Sequence, residues 1–159
     1  MKYLLIDFEK EEFWVEVGTE GYACRQVIVN EDETTHVSCF EDCLAEGAIH
    51  IDELDGEFRF ITQHEFEKKW NTATLNKRKL WEVQKEKYPI GKEVRLKVAY
   101  HYPQGWILRE ADLIGIYSGK VNLRFNQRIK GTVIGYDESN MWIRISDINK
   151  EKENDFISN

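Results

Sequence analysis

Apolar and polar residues alternate over short stretches near both ends of this 159-residue chain, and only the middle shifts to helical spacing. Residues 2–8 and 13–17 read as strands, with Phe13, Val15 and Val17 alternating with Trp14 and Glu16. Residues 18–21 are a turn, 22–29 a strand, 30–33 the next turn, and 36–40 a returning strand. Short strands joined by tight turns predict an antiparallel meander. Gly47 and the polar stretch 52–56 break the pattern, and residues 58–61 form one more short strand.

Helical signals then follow in quick succession. Thr62-Gln-His-Glu65 has the form of a capping box, in which hydroxyl and carboxylate each accept from the other residue's amide. Phe66 and Trp70, four apart, stack on one helix face. Residues 71–74 end this helix, and Thr74 caps a second over 75–87, with Leu80, Trp81 and Val83 as its apolar contacts. Pro89 stops it, because the residue before proline resists the helical conformation. The Lys77-Arg78-Lys79 run reads as a solvated helix face with phosphate contact as the alternative.

Beyond Pro89 the period returns to two. Val94, Leu96 and Val98 alternate with Arg95 and Lys97, giving one apolar and one basic face. Gly105 marks a bend or a close backbone approach. Residues 106–108, 113–117, 129–136 and 141–145 make four further strands, with Gly131 and Gly135 as kinks and 137–140 as a turn. Five short strands in this order predict an OB-like barrel. The fold class is therefore mainly β with a helical connector, or α+β. Residues 1–70 form an acidic interaction domain with an antiparallel meander plus helix, 71–87 the connector, 88–146 the barrel, and 147–159 a flexible polar tail.

Charge sharpens this division. Residues 1–80 carry 9 Lys/Arg against 18 Asp/Glu, a net of −9, whereas residues 87–146 carry 10 against 5, a net of +5. Two units with different partners account for the asymmetry. With 42% hydrophobic residues the chain can bury a core, and no apolar run reaches the roughly 20 residues of a membrane helix. The first residues turn acidic too soon for a signal peptide, and three cysteines leave no complete disulfide framework, so a cytoplasmic protein with free thiols is expected.

Two resemblances add to these readings. Residues 88–146 open with Tyr88-Pro-Ile-Gly-Lys-Glu-Val-Arg-Leu and close with Ile129-Lys-Gly-Thr-Val-Ile-Gly-Tyr, and they resemble the RNA-binding OB domain named after ribosomal protein S-one. That family touches nucleic acid through an aromatic-glycine pair and a histidine after the third strand. Here Gly105 matches the glycine, but Gln104 and Ser118 stand at the aromatic and histidine positions. Residues 1–70 resemble small uncharacterised bacterial proteins linked to toxin–immunity gene neighbourhoods. The likeness rests on Arg25-Gln-Val27, Leu44-Ala-Glu-Gly-Ala-Ile49, Glu53-Leu54, Glu57-Phe58 and Ile61-Thr-Gln-His-Glu-Phe-Glu-Lys-Lys-Trp70. It implies an interaction domain and supplies no catalytic residue.

The candidate chemistry follows. Tyr100, Tyr102, Trp106 and Tyr117 offer faces on which bases stack, with Phe125 as a further one. Lys97, Arg109, Lys120 and Arg124, with Arg128, can meet phosphates. Barrel packing is the competing role for each aromatic. His36, Cys39 and Cys43, with Cys24 or His50, were they to converge, would suit zinc, but no C-x-x-C pair exists and free thiols are expected instead. Cys24, Ser38 and Cys39 lack the spaced base that a nucleophile needs. With no phosphate loop either, no enzyme, cofactor or metal is expected. The partner is expected to be RNA or single-stranded DNA at the barrel; the alternative is a basic protein docking on the acidic half as on an immunity module.

Overall fold

The computed structural model describes residues 1–152. It divides into two compact units, one running from Met1 to Arg78 and the other starting at Lys79.

In the first unit, β1 (Lys2–Phe8), β2 (Glu11–Val17), β3 (Ala23–Val29) and β4 (Thr35–Val37) form an antiparallel meander. The fifth strand, β5 (Glu57–Phe60), does not extend it from β4. It pairs with β1 at the opposite edge, in the order β4-β3-β2-β1-β5. The connection runs over one face of the sheet, where Gln26 Nε2 donates to the Cys43 carbonyl at 2.9 Å and Leu44 is buried. Helix α1 (Gln63–Ala73) lies on the other face. Its capping box is formed, with the Glu65 amide on Thr62 Oγ1 at 3.1 Å and the Thr62 amide on Glu65 Oε2 at 2.7 Å. Phe66 and Trp70 are fully buried, and Phe66 meets Tyr3 of β1 with ring centroids 5.5 Å apart.

Three local expectations change. The returning strand stops at Val37, because the Phe40 and Glu41 amides turn back onto the Val37 carbonyl. Thr74 does not cap α2 (Leu75–Lys87) with its side chain; its hydroxyl donates back to the Trp70 carbonyl at 2.7 Å and closes α1. Of the three apolar contacts expected of α2, Leu80 and Val83 are exposed and Trp81 alone is buried. Lys77, expected on a solvated helix face, is buried in the first unit, because a lysine stem covers apolar surface as an aliphatic chain does. Lys77 lies over the Phe40 ring at 5.0 Å.

The second unit is a closed barrel. Strands β6 (Glu93–Tyr102), β7 (Gly105–Glu110), β8 (Leu113–Tyr117), β9 (Arg128–Asp137) and β10 (Trp142–Lys150) are ordered β10-β8-β7-β6-β9, and β9 closes on β10. All neighbours are antiparallel except β8 and β10. The first strand pairs with the second and fourth, and the third runs parallel to the fifth, which is an OB-like barrel. Val94, Leu96 and Val98 point into the core while Arg95 and Lys97 stay exposed. Gly105 has φ of +147°, and a Cβ there would sit 2.5 Å from the Tyr117 carbonyl oxygen, so this tight crossing takes glycine alone. A Cβ on Gly115 would sit 2.9 Å from the Ile145 side chain.

The last strand is longer than its apolar pattern. Residues 147–150, expected in a flexible tail, belong to β10, where Asn149 and Lys150 pair with Lys130 and Ile129 across a register shift. Backbone pairing to β9 holds this polar stretch, and the Glu151 amide adds a bond to the Arg128 carbonyl at 3.1 Å. The rest of the expected tail, from residue 153, lies outside the described residues. Among the described residues no helix is long and apolar enough to cross a membrane.

Candidate nucleic-acid interface

The barrel register brings three of its cations into one row. Arg109 on β7 stands opposite Lys97 on β6, and Lys97 stands opposite Arg128 on β9. Arg95 and Lys130 form the next row. Like charges directly opposite each other on neighbouring strands repel. Partial relief comes from carboxylates: Glu93 meets Lys130 at 3.0 Å, Glu151 meets Arg95 at 3.2 Å, and Glu110 reaches Arg128 only at 3.9 Å. Lys97 and Arg109 have no such partner among the described residues.

A turn beside the row adds the rest. Residues 124–127 are tied onto β6 by the Asn126 amide on the Val98 carbonyl and the Val98 amide on the Gln127 carbonyl, each at 2.9 Å. Asn126 takes the left-handed conformation at φ of +63°, which asparagine tolerates. The turn places Arg124 and Phe125 beside Lys97, and together with Arg128 they line an open groove of about 570 Å³. Phe125 is 62% exposed. Its ring stands edge-on to Trp106 at 5.8 Å, and Trp106 in turn meets His101 at 4.4 Å. Phe125 thus joins this aromatic cluster to a groove lined by three cations and by the Glu151 carboxylate.

The eight residues singled out in the sequence part company here. Lys97 and Arg124 share the groove, Arg109 continues its row, and Trp106, half-buried, belongs to the aromatic cluster. Tyr102 is fully buried, packed 5.1 Å from Tyr100 and 6.2 Å from Trp142, so it is core and offers no face to a base. Tyr117 is also buried, and its hydroxyl accepts from the Val121 amide at 3.1 Å, which holds the short connection after β8. Tyr100 is half-buried with one side against Tyr102. Lys120 is exposed on that connection and does not line the groove. His101 escaped notice in the sequence, because a lone histidine between two tyrosines carries no spacing signal.

The positions that the S-one-type resemblance points to lie elsewhere. The Ser118 hydroxyl donates to the Gln104 carbonyl at 2.8 Å. These two residues share a second cavity with Ile116, Tyr136, Asp137, Glu138 and Arg144. Its two carboxylates oppose phosphate, and Glu138 is already engaged by Trp81 Nε1 at 2.7 Å and Lys85 at 2.9 Å.

The first unit offers no reactive centre of comparable definition. Burial pushes the Cys39 and Cys43 thiols up to about 12, and Ser38 Oγ is buried and accepts from the Gln26 amide at 3.0 Å. His36 is held by Asn30 and Glu41. Among the described residues no three His, Cys, Asp or Glu side chains converge as a metal ion would require. The comparisons with family models, with curated proteins and with solved structures each find no match to this chain.

Proposed function

We propose that the barrel binds single-stranded RNA or DNA, with little sequence preference, along the groove beside β6. The observation that carries this reading is the row Arg109, Lys97 and Arg128 with Phe125 exposed next to it. Folding alone does not favour three cations abreast; a phosphate backbone laid across them does. Phe125 and Trp106 supply sequence-tolerant stacking, since every base has a π face. Neither catalysis nor a cofactor is part of the proposal.

The test is a titration of a labelled ten-nucleotide single strand with the full chain. Neutralising three or four phosphates gives a log–log salt slope of about −2 to −3. Phe125→Ala should weaken binding by the value of one stacked base, about 1–3 kcal/mol. Lys97→Glu with Arg124→Glu should abolish it, while Arg144→Glu, in the other cavity, should leave it nearly unchanged. Absence of binding at low salt, or equal loss in all variants, would sink the reading.

A further inference from the structure

The first unit leaves one sheet edge open. Strand β5 ends the sheet order and, among the described residues, pairs only with β1. The Ile61 amide donates to the Tyr3 carbonyl at 3.0 Å. By the alternation of an antiparallel ladder, the backbone groups of Glu57 and Arg59 then point at β1, and those of Phe58 and Phe60 point outward. The opposite edge, β4, is only three residues long.

Side chains make this edge adhesive. Phe58 is 39% and Phe60 56% exposed, with ring centroids 6.3 Å apart. The register sets Phe58, Ile6, Phe13 and Ile28 in one row across four strands, so an apolar face runs out to the edge. Native sheets block such edges with lysine, proline or bulges. Here the one cation of β5, Arg59, projects to the other face and is committed to Glu65 at 3.3 Å.

Charge selects the occupant. Asp7, Glu9, Glu11, Asp55 and Glu57 flank this end of β1 and β5, and none has an ion-pair partner among the described residues. Lys10 is taken by Glu31 at 2.9 Å. Residues 1–78 hold 8 Lys/Arg against 18 Asp/Glu, a net of −10, so edge-to-edge pairing of two copies would bring the same carboxylates together. We infer that the β5 edge takes an extended segment of a basic protein as an added strand, with apolar side chains over Phe58 and Phe60 and lysine or arginine beside Glu57. Backbone hydrogen bonds would hold the segment, and its charge would choose it.

A ten-residue peptide alternating valine and threonine, with two lysines at each end, is the probe, titrated into the isotope-labelled full chain. Saturable binding is expected, with the Phe58 and Phe60 amides gaining at least tenfold protection from hydrogen exchange. A central proline in the peptide, or glutamates in place of its lysines, should each weaken binding at least tenfold. Phe58→Ser with Phe60→Ser should do the same. Should that double variant fail to fold, Glu57→Lys, exposed and free of ion pairs, is expected to reduce lysine-peptide binding at least tenfold. The inference is overturned by no binding, by equal binding of the proline peptide, or by no protection at Phe58 and Phe60. A dimer by light scattering that already protects those amides would assign the edge to a second copy and overturn it equally.

Discussion

The two units differ in whether charge enters the interior. In the first, an ion cluster is carried inside. Arg25 of β3 lies under α1 with its side chain 7% exposed, bonded to Glu16 at 2.6 Å and Glu67 at 2.5 Å, with Phe66 and Trp70 rings at 5.0 and 5.1 Å. Burial alone would lower its pKa; the two carboxylates outweigh that and raise it. In the second unit the interior is apolar, built on Leu96, Val98, Ile107, Leu108, Ile129, Val133 and Ile143, and the charges stand outside in rows. Arg25 bonds Glu16 of the sheet and Glu67 of the helix at once, so the cluster ties α1 to the sheet. A closed barrel has no edges and satisfies its own ladder, so its register is held without internal charge.

This contrast can be broken by mutation. The largest effect is expected from Arg25→Ala, which strands the buried Glu16 carboxylate and should cost about 3–5 kcal/mol. Amide exchange should show the loss in β1–β3 and leave Ile107 and Val133 protected. Equal loss in the barrel would refute independent stability of the two units. Next comes Gly105→Ala in the barrel, which forces an unfavourable backbone and a clash with the Tyr117 carbonyl. A cost of about 1–3 kcal/mol is expected, read as a lowered thermal midpoint of the barrel transition.

Smaller effects sharpen the comparison. Thr62→Ala removes the α1 cap and should cost about 1 kcal/mol near neutral pH. The Glu65 carboxyl is held below its ordinary value by the Thr62 backbone, then by the Thr62 side chain, with Arg59 adding to it. A folded-state pKa lowered in this way stabilises above the unfolded value and ceases to do so as pH falls through the folded one. Thr62→Ala keeps the backbone bond and loses the hydroxyl's, so the gap from wild type should narrow by the hydroxyl's share on acidification below the usual carboxylate range, as measured by urea melts. A pH-independent gap would remove Glu65 from the account. The smallest change is expected from Leu80→Gln and Val83→Gln, both exposed on α2, at within about 0.5 kcal/mol each. A larger loss would mean that this helix face is covered.

Much of the fold was legible because its signals are local. Alternation in 94–98 and the Thr62–Glu65 box depend on neighbours a few residues apart, and both are realised as read. Gly105 announced a close approach, though not that Tyr117 would be the neighbour. What misled was the reading of letters without depth. Leu80 and Val83 are apolar yet exposed, Lys77 is charged yet buried, and Asn149 and Lys150 are polar yet paired. Each was decided by a partner distant in sequence.

The candidate interface divides along the same line. Composition and charge alone determined that a basic, aromatic-bearing barrel follows an acidic sheet, because strand period and net charge are written residue by residue. Only the tertiary structure decided which aromatics face solvent. Tyr102 and Tyr117 look no different in sequence from Trp106 and Phe125, but ring closure of the barrel and the tether of residues 124–127 bury the first pair and leave Trp106 half-buried and Phe125 exposed. Register, which no single strand encodes, set Arg109, Lys97 and Arg128 abreast. The open edge at β5 has the same origin, since a strand's own residues cannot say whether a neighbour will pair with it.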